Sequence, residues 1–428
     1  MPWFTAEKTL TKDEILNLTE RAAQQSLEKI CPRPQKVLLL PPDITRAHSG
    51  AGWITEHLYN WFARHADVHL IPTLGQHLPH TPEQNRWMFG SVPQENIHAH
   101  DWRNGVKYLG EISADYVKDA SGGRADWPIP VWLNTMLLEE KWDLIINIGH
   151  VVPHEVLGFA NHNKNYFIGL GGKETICASH IMAACCGIEN NLGQLVTPLR
   201  NCFNQAEIDL LSHLPDFYIQ LVLAYDDQNQ LIHTGYFVGD DLDTYITAAK
   251  ASQKQNITIV DKPLTKVVAT MQADEFHSTW VANKAIYRTR MAMADDGELL
   301  IIAPGLKRFG EQPEVDRLIR KYGYRPANVI LDAYRHNPDL QDLAHGAAHL
   351  IHGASEGRFT ITYAPGHLTP SDIESVGYQY ADLDLALTLY PPDRMQNGWN
   401  TTPNGEEVFY ISTPSTGLWS TYDKLYHR

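Results

Sequence analysis

Residues 144–154 read LIINIGHVVPH, a mostly apolar run that ends in a glycine and continues into two histidines. A short run of this kind, closed by glycine, predicts a buried β-strand. Two similar runs come earlier, at 37–40 and 68–72, and stretches with helical periodicity separate them. Buried strands that alternate with amphipathic helices predict a parallel sheet with helices on its faces.

The same alternation resumes after residues 261–264 and therefore predicts two domains. The predicted fold class is α/β, with two α/β domains of mainly parallel sheets flanked by helices and the active site in the cleft between them. The first domain is expected to span 1–260 and the second 265–405, with the C-terminal tail, about 406–428, packing back on the first. Within this scheme we expect a helix over 131–140 and strands over 328–331 and 385–389.

The composition narrows the class of protein. Lys and Arg number 35 against 50 Asp and Glu, a formal charge of −15, and an acidic surface repels nucleic-acid phosphates and anionic lipid. No apolar run approaches the roughly 20 residues of a membrane span, and the first ten residues lack the features of a secretory signal. Five cysteines, an odd number, fit a reducing compartment. We therefore expect a cytoplasmic enzyme that binds neither nucleic acid nor membrane, of unknown oligomeric state.

Polar clusters follow three of the predicted strands. They read DITR at 43–46, GQHLPH at 75–80 and GHVVPH at 149–154. Because ligands of open α/β sheets bind outside the carboxyl ends of the strands, the clusters predict one shared site. Its candidate residues are Asp43, Arg46, His77, His80, His150 and His154.

Each of these residues also fits a structural role. Asp43 could cap a turn, Arg46 could be a solvated surface charge, and the spacing of His77 and His80 is only a weak metal signal. One function that the residues allow is a zinc-dependent hydrolase, with His77, His80, His150 and His154 around a metal-bound water. That function also needs carboxylate ligands, which the sequence does not place.

The stretch 153–180 resembles the lactate racemase family. It reads PHEVLGF at 153–159 and GGKETI at 171–176, with Lys164 ten residues after His154 and His180 sixteen residues after Lys164, the intervals that the family has. The family's Asp-x-Thr-Arg and Gly-x-His motifs are matched by residues 43–46 and 75–77. The motifs occur in the family's order from residue 43 to residue 180.

The resemblance implies a nickel-pincer nucleotide, pyridinium-3-thioamide-5-thiocarboxylic acid mononucleotide with nickel, and the maturation enzymes that build it as partners. It implies that Lys164 holds the nucleotide through a thioamide bond, with Lys173 as a rival that breaks the interval. His180 is the implied nickel ligand, and Asp43 contacts the cofactor or orients Arg46.

The reaction that the resemblance implies is inversion of a small-molecule 2-hydroxy acid at C2, by a racemase or an epimerase. Removing the C2 hydrogen as a proton leaves a poorly stabilised carbanion beside a carboxylate, whereas removing it as hydride requires a cofactor, because no side chain accepts hydride. A Gly-x-Gly-x-x-Gly fingerprint for a dinucleotide is missing after the first strand. Under the resemblance, His77 and His154 form the acid–base pair, one on each face of the substrate, and Arg46 binds its carboxylate.

The chain departs from the family in three places, the first being Arg46-Ala47 where the family has Arg-Pro. Tyr287 and Arg288, in the stretch YRTRM at 287–291, stand where the family has Tyr-Gln and a later lysine that help to bind the substrate. The extra arginine suggests a larger or more polar acid than lactate. Residues 160–163, ANHN, replace the small residues that the family places before its lysine, so the role of His162 is open. A non-catalytic paralogue that binds a small acid also stays open.

Overall fold

The computed structural model of the protein describes residues 1–226, 228, 230–415 and 417–426. The chain divides into two compact units, of which the first comprises Met1–Ser179 and Gln194–Asn256 and the second His180–Gly193 and Ile257–Arg428. Both units contain mainly parallel sheets flanked by helices, which confirms the predicted fold class. Within the described ranges, no helix is long and apolar enough to cross a membrane.

The strands are short and are numbered in chain order: β1 Phe4–Ala6, β2 Lys36–Leu40, β3 Asp67–Leu70, β4 Val106–Ile112, β5 Ile129–Asn134, β6 Leu144–His150, β7 Pro153–His154, β8 Gly158–Phe159, β9 Asp216–Tyr225, β10 Leu231–Gly239, β11 Ile257–Val260, β12 Leu264–Thr270, β13 Met293–Ala303, β14 Thr360–Pro365, β15 Gln379–Tyr380, β16 Gly398–Thr401, β17 Glu407–Ile411 and β18 Leu418–Thr421.

The α-helices are numbered in the same way: α1 Lys12–Lys29, α2 Ala51–Phe62, α3 Pro82–Phe89, α4 Ala114–Ala120, α5 Thr135–Glu139, α6 Lys173–Cys186, α7 Ile188–Asn191, α8 Pro198–Ala206, α9 Leu242–Asn256, α10 Thr279–Ala282, α11 Lys284–Thr289, α12 Pro313–Tyr322, α13 Ala327–His336, α14 Pro338–Asp342, α15 Ala344–His352, α16 Pro370–Ser375, α17 Leu383–Leu389 and α18 Tyr422–Tyr426. Tighter 3-10 turns cover Ile44–Ser49 and Gln94–Asn96, and wider π-helical turns cover Asn165–Gly169 and Glu207–Leu211.

The first unit is built on a six-stranded sheet with the strand order β1-β10-β9-β6-β2-β3. The strands β9, β6, β2 and β3 are parallel neighbours, whereas β10 is antiparallel to both β9 and β1. Because β6, β2 and β3 lie side by side and run the same way, the turns that follow them leave the same edge of the sheet. The three polar clusters predicted from the sequence therefore start from adjacent strands.

The helices α1 and α2 close one face of this sheet. Thr11 begins α1 through a capping box with Glu14. Alternate strand residues such as Leu39, Ile146 and Ile219 are fully buried in the core that these helices complete. Burying one such side chain stabilises the fold by roughly 1.5–3 kcal/mol, so a core of this size offsets costly polar groups elsewhere in the unit.

The second unit contains another six-stranded sheet, with the order β15-β14-β13-β12-β17-β16, in which only β16 runs antiparallel to its neighbour. The C-terminal stretch supplies β17, which pairs with β12, and β18, which pairs with β11. The C-terminal stretch belongs to the second unit, and β18 pairs with residues that the predicted first domain includes. The packing of 406–428 on the first domain therefore stays a prediction. The boundaries 1–260 and 265–405 stay a prediction.

The helix predicted over 131–140 is wrong. The segment forms the end of β5, which pairs with β4 in an antiparallel hairpin, and then α5. Asn134 marks the junction, because its side-chain oxygen accepts a hydrogen bond from the N–H of Leu137 at 3.2 Å and caps α5. A cap in the middle of an apolar run therefore ends a strand and begins a helix.

The strands predicted over 328–331 and 385–389 are also wrong, because these segments lie in α13 and α17. In both segments, the residues just before the apolar run are ones that typically begin a helix. Pro326 precedes α13, and the Asp382 side chain caps α17 by accepting from the N–H of Leu385 at 2.9 Å. Short apolar runs fit a strand or a helix equally well, so the preceding residues decide between them.

Candidate active site

The turn after β2 carries Asp43. This residue is 6% exposed, and its carboxylate accepts a hydrogen bond from the N–H of Thr45 at 3.0 Å, which starts the 3-10 turn Ile44–Ser49. Burial by itself raises the pKa of Asp43, but the charge of His77, hydrogen bonds from His77 and Thr45, and the charge of Arg46 outweigh it. The pKa of Asp43 is therefore held well below its usual range, and the group is an anion at neutral pH.

His77, in the turn after β3, is oriented by the same carboxylate. Its Nδ1 donates a hydrogen bond to Oδ2 of Asp43, since an ionised carboxylate can only accept. The neutral ring then carries its lone pair on Nε2, and the side chain is 40% exposed. An oriented imidazole whose outer nitrogen is basic can take up a proton from a bound molecule.

His80, three residues later, fixes the next residue of the Asp43 turn. Its Nε2 accepts a hydrogen bond from the N–H of Ile44 at 2.9 Å, and its Nδ1 donates to Oδ1 of Asn85 at 3.1 Å. The two histidines of the 75–80 segment therefore hold two consecutive residues of the 43–46 turn. This positioning role was not predicted, although the His-x-x-His spacing after a strand was a visible signal.

The engagement of His80 also bears on the zinc hydrolase alternative. Both of its ring nitrogens are used within the protein, so His80 is not available as a zinc ligand. Among the residues that the structure describes, no group of three or more His, Cys, Asp and Glu side chains could hold a metal ion. The proposed zinc site of His77, His80, His150 and His154 therefore has no support in the geometry.

His154 lies in the small antiparallel hairpin of β7 and β8, which follows β6. Its Nδ1 accepts a hydrogen bond from the N–H of Val156 at 3.2 Å, so the neutral ring carries its proton on Nε2. His77 and His154 are consequently held in opposite tautomers. His77 carries its lone pair on Nε2, whereas His154 carries its proton there, 3.9 Å from Oε1 of Glu155.

Lys164 precedes the π-helical turn Asn165–Gly169 and is partly buried. Burial, reinforced by the positive charge of Arg46 and opposed by Asp43, lowers the pKa of Lys164 to about 8. The share of neutral, nucleophilic amine at neutral pH is thereby increased. The same charges couple Lys164 electrostatically to the 43–46 turn.

Arg200, on α8, holds the loop that leads to Lys164. Asn161 and His162 have positive φ angles of 69° and 58°, a conformation that costs roughly 1–3 kcal/mol for a residue other than glycine. The guanidinium of Arg200 is 1% exposed and donates to the carbonyl of Phe159 at 2.7 Å and to Oδ1 of Asn163. It thus fixes the loop on both sides of the strained pair.

His162 and His150 belong to the packed interior. The ring of His162 lies 5.1 Å from that of Tyr245 and 4.2 Å from that of Tyr218, between centroids. Burial lowers the pKa of His162 to about 4, although Glu207 opposes the shift, so the imidazole is neutral. His150 is buried with its ring edge-on to another histidine.

The other predicted site residues lie in the second unit. His180 is partly exposed on α6. On α11, the hydroxyl of Tyr287 bonds to Nδ1 of His349 at 2.8 Å, and Nη1 of Arg288 donates to the carbonyl of Gly417 at 3.4 Å. The first unit holds the remaining ones on the turns and loop described above: Asp43, Arg46, His77, His154 and Lys164.

Comparison with known proteins agrees with this fold. Residues 5–191 match the family described as the lactate racemase N-terminal domain, which confirms the resemblance found in the motifs. No curated protein gives a significant match.

Solved structures match over nearly the whole chain. A crystal structure of a protein from Thermotoga maritima has a TM-score of 0.80 at 22% identity and covers 97% of this chain and 100% of that chain. The lactate racemase apoprotein from Thermoanaerobacterium thermosaccharolyticum has a TM-score of 0.69 at 15% identity, with 97% and 94% covered. At these identities the two structures establish the fold.

Proposed function

Residues 5–191 of this chain belong to the lactate racemase family, and on that premise we propose that the protein is an isomerase that inverts C2 of a 2-hydroxy acid. One observation carries the proposal. Motif residues from three separate segments form one electrostatic unit, in which Asp43 bonds to His77 and the pKa of Lys164 responds to both Asp43 and Arg46. Coupled, perturbed groups of this kind are typical of catalytic sites.

The residues fit a lysine-tethered nickel-pincer nucleotide. Acylation of a lysine requires its neutral amine, and the pKa of Lys164, about 8, makes that form accessible. A nucleotide that brings its own sulfur and carbon ligands leaves nickel in need of one more donor, and the imidazole of His180 suits nickel. When bound, the nucleotide would supply the acceptor for the C2 hydride that no side chain supplies.

The side chains of the first unit have the properties that the remaining steps need. Arg46 would bind the substrate carboxylate with a planar, bidentate guanidinium. His77 would take the hydroxyl proton on Nε2, and the anionic Asp43 would stabilise the imidazolium that results. His154 would donate from Nε2 to the ketone oxygen at the other face, which restores the hydroxyl when C2 regains its hydride.

In the second unit, Tyr287 and Arg288 are proposed to contact the substrate. Arg290, the other arginine of the stretch 287–291, is engaged elsewhere, because it donates to the carbonyls of His352 and Ala354 at 3.1 Å each. Arg288, which stands where the family has glutamine, would bring an extra positive charge to the substrate. The small-molecule acid and the cofactor maturation enzymes are the proposed partners, and the setting is cytoplasmic.

The test uses protein loaded with cofactor and a single enantiomer of a 2-hydroxy acid deuterated at C2, beginning with lactate and extending to aliphatic, aromatic and sugar acids. We expect one of these acids to yield the opposite configuration with the deuterium retained at C2, because the hydride is returned and not exchanged. Loss of the deuterium to water would contradict hydride transfer, and failure to invert any of these acids would contradict the racemase. Lys164→Ala is the matched control and should be inactive.

A further inference from the structure

One face of α8 and of the π-helical turn that follows it packs against the loop that leads to Lys164. The residues of this face recur at intervals of three and four, a spacing that places side chains on one side of a helix. They are Arg200, Phe203, Asn204 and Glu207. The ring of Phe203 stacks on that of Phe167, with centroids 4.7 Å apart. The face and the loop both belong to the first unit.

The polar residues of this face converge on Asn163, the residue before Lys164. Nδ2 of Asn163 donates to Oδ1 of Asn204 at 2.8 Å and to Oε2 of Glu207 at 3.0 Å. Oδ1 of Asn163 accepts from Nη1 of Arg200. The Asn163 side chain is fully buried, and its amide is bonded through both the nitrogen and the oxygen, so these contacts fix its orientation.

Glu207 links this loop to the sheet. Its Oε2 accepts from Asn163, and its Oε1 accepts from the hydroxyl of Tyr218, on β9, at 2.5 Å. Nε2 of His162 lies 3.8 Å from Oε2 of the same carboxylate. Hydrogen bonds to an ionised group are stronger than those between neutral groups, so Glu207 is a firm anchor for Asn163.

We propose that Glu207 is a positioning residue that holds the amine of Lys164 in its partly buried place through the side chain of Asn163. Asn161 and His162 have left-handed backbone conformations that favour glycine, so side-chain contacts must keep the loop in this shape. Without the anchor the loop would relax, and water would reach the amine. This inference rests on the proposed function, in which the amine of Lys164 is acylated by the nucleotide.

The contact that Glu207 makes, and not its charge, is expected to matter for Lys164. The charges that act most strongly on the Lys164 amine are those of Arg46, Asp43, Glu155 and Arg200. Glu207→Gln keeps an oxygen that accepts from Asn163, and its amide nitrogen can donate to the Tyr218 oxygen. This variant should therefore retain the position of the amine, whereas Glu207→Ala should not.

The test titrates the Lys164 amine in the unloaded full chain, without activity. Trace acetic anhydride is added between pH 6 and 10, and digestion with mass spectrometry measures acetylation of Lys164. We expect a midpoint near pH 8 in the wild type. Burial is the largest cause of the lowered pKa of Lys164, so Glu207→Ala should raise the midpoint by about one pH unit and slow labelling at pH 7 about tenfold.

Glu207→Gln should stay close to the wild type, and so should Asp209→Asn, an exposed change in the same π-helical turn. Exposed Lys118, in the same digests, is the internal reference and should titrate alike in every variant. If Glu207 acts through Asn163, the Asn163→Ala variant should show the shift of Glu207→Ala. The double variant should then shift no further than either single one.

Three results would overturn the proposal: an unchanged midpoint in Glu207→Ala, an equal shift in Glu207→Gln, or shifts that add in the double variant. If Glu207→Ala does not fold, Asn163→Ala removes the other end of the same hydrogen bond and decides. Failure of the proposed function is a separate result, since the chain from its own host would then carry no adduct on Lys164 while the midpoints kept their expected values.

Discussion

A carboxylate oxygen of Asp43 and Nδ1 of His77 share a hydrogen bond that joins two turns 34 residues apart in the sequence. The bond exists because β2 and β3 are parallel neighbours, so that the turns after them meet. It fixes the tautomer of His77 and leaves the basic nitrogen of the ring outermost. The catalytic assignment of His77 therefore depends on a charge that Asp43 supplies.

The first prediction concerns that charge. Asp43→Asn removes the anion that orients the His77 ring and stabilises its protonated form. We expect the rate of C2 inversion to fall by about 10²–10⁴-fold, the range in which general acid–base catalysis contributes, as measured by chiral chromatography on loaded protein. The rate of C2 inversion should fall by a similar factor in His77→Ala. Asp119→Asn, at the exposed end of α4, is the control, and a wild-type rate in Asp43→Asn would contradict the assignment.

The second prediction is that Lys164 destabilises the chain when no cofactor is attached. Its pKa is lowered from 10.5 to about 8, so between these values the unfolded chain binds more protons and stability rises with pH. Lys164→Met should therefore raise the free energy of unfolding by about 1–2 kcal/mol at pH 7 and by less as the pH rises above 8. Thermal unfolding of unloaded protein measures the effect.

Lys118→Met, an exposed lysine to methionine change on α4, is the matched control for this comparison and should leave stability nearly unchanged. If the Lys164→Met protein is less stable than the wild type at pH 7, Lys164 does not destabilise the unloaded chain and this prediction is wrong.

The third prediction concerns Asp216, at the start of β9. Its carboxylate accepts a hydrogen bond from the hydroxyl of Tyr166 at 2.6 Å, and burial, with a further contribution from Glu207, raises its pKa from 3.8 to about 7. Between these values the folded chain binds more protons than the unfolded one, so stability falls as the pH rises.

Asp216→Asn should remove this dependence of the free energy of unfolding on pH. It should stabilise the chain by roughly 1–3 kcal/mol at pH 8 relative to wild type, with little difference at pH 4. Urea unfolding from pH 4 to 8 measures it, with the exposed Asp209→Asn as control. A slope that is unchanged in Asp216→Asn would show that another group controls it.

The fourth prediction concerns His80. His80→Ala leaves the N–H of Ile44 without its acceptor and loosens the turn that carries Arg46. We expect the KM for the 2-hydroxy acid to rise about tenfold and the free energy of unfolding to fall by about 1–2 kcal/mol. His80→Gln, whose amide oxygen can accept, should recover part of the KM effect. The exposed His65→Ala is the control, and equal KM values in the two alanine variants would remove the positioning role.

Much of the first unit could be predicted from the sequence. The apolar runs of β2, β3 and β6 are short, closed by proline or glycine and separated by helical periodicity, so their type and a parallel sheet follow from the sequence pattern. The order in which the strands lie side by side does not follow from it. That order is what brings residues 43–46 next to residues 75–80. Asn134 is a residue type that favours helix N-caps, and this signal also lies in the local sequence. It indicates a helix that begins after residue 134, not one over 131–140.

The contacts that hold the site residues could not be predicted. His80 reaches the N–H of Ile44 across 36 residues, and Arg200 reaches the carbonyl of Phe159 across 41. Both contacts depend on tertiary packing, and although His80 lies in a recognisable histidine motif, the motif does not show which backbone group its side chain reaches. His349, which bonds to Tyr287 across 62 residues, is a third case. Sequence spacing indicated the groups to which we propose the chemistry belongs, whereas the groups that orient them became visible only in the fold.

The central claim is that Lys164 carries a nickel-bearing nucleotide, and intact mass tests it most directly. Protein purified from its own host is weighed under denaturing conditions, digested to locate any adduct, and assayed for nickel. We predict an adduct of several hundred daltons on Lys164, its absence from Lys164→Ala, and near-stoichiometric nickel. An unmodified chain from that host, with zinc or no metal, would contradict the claim and favour the non-catalytic paralogue.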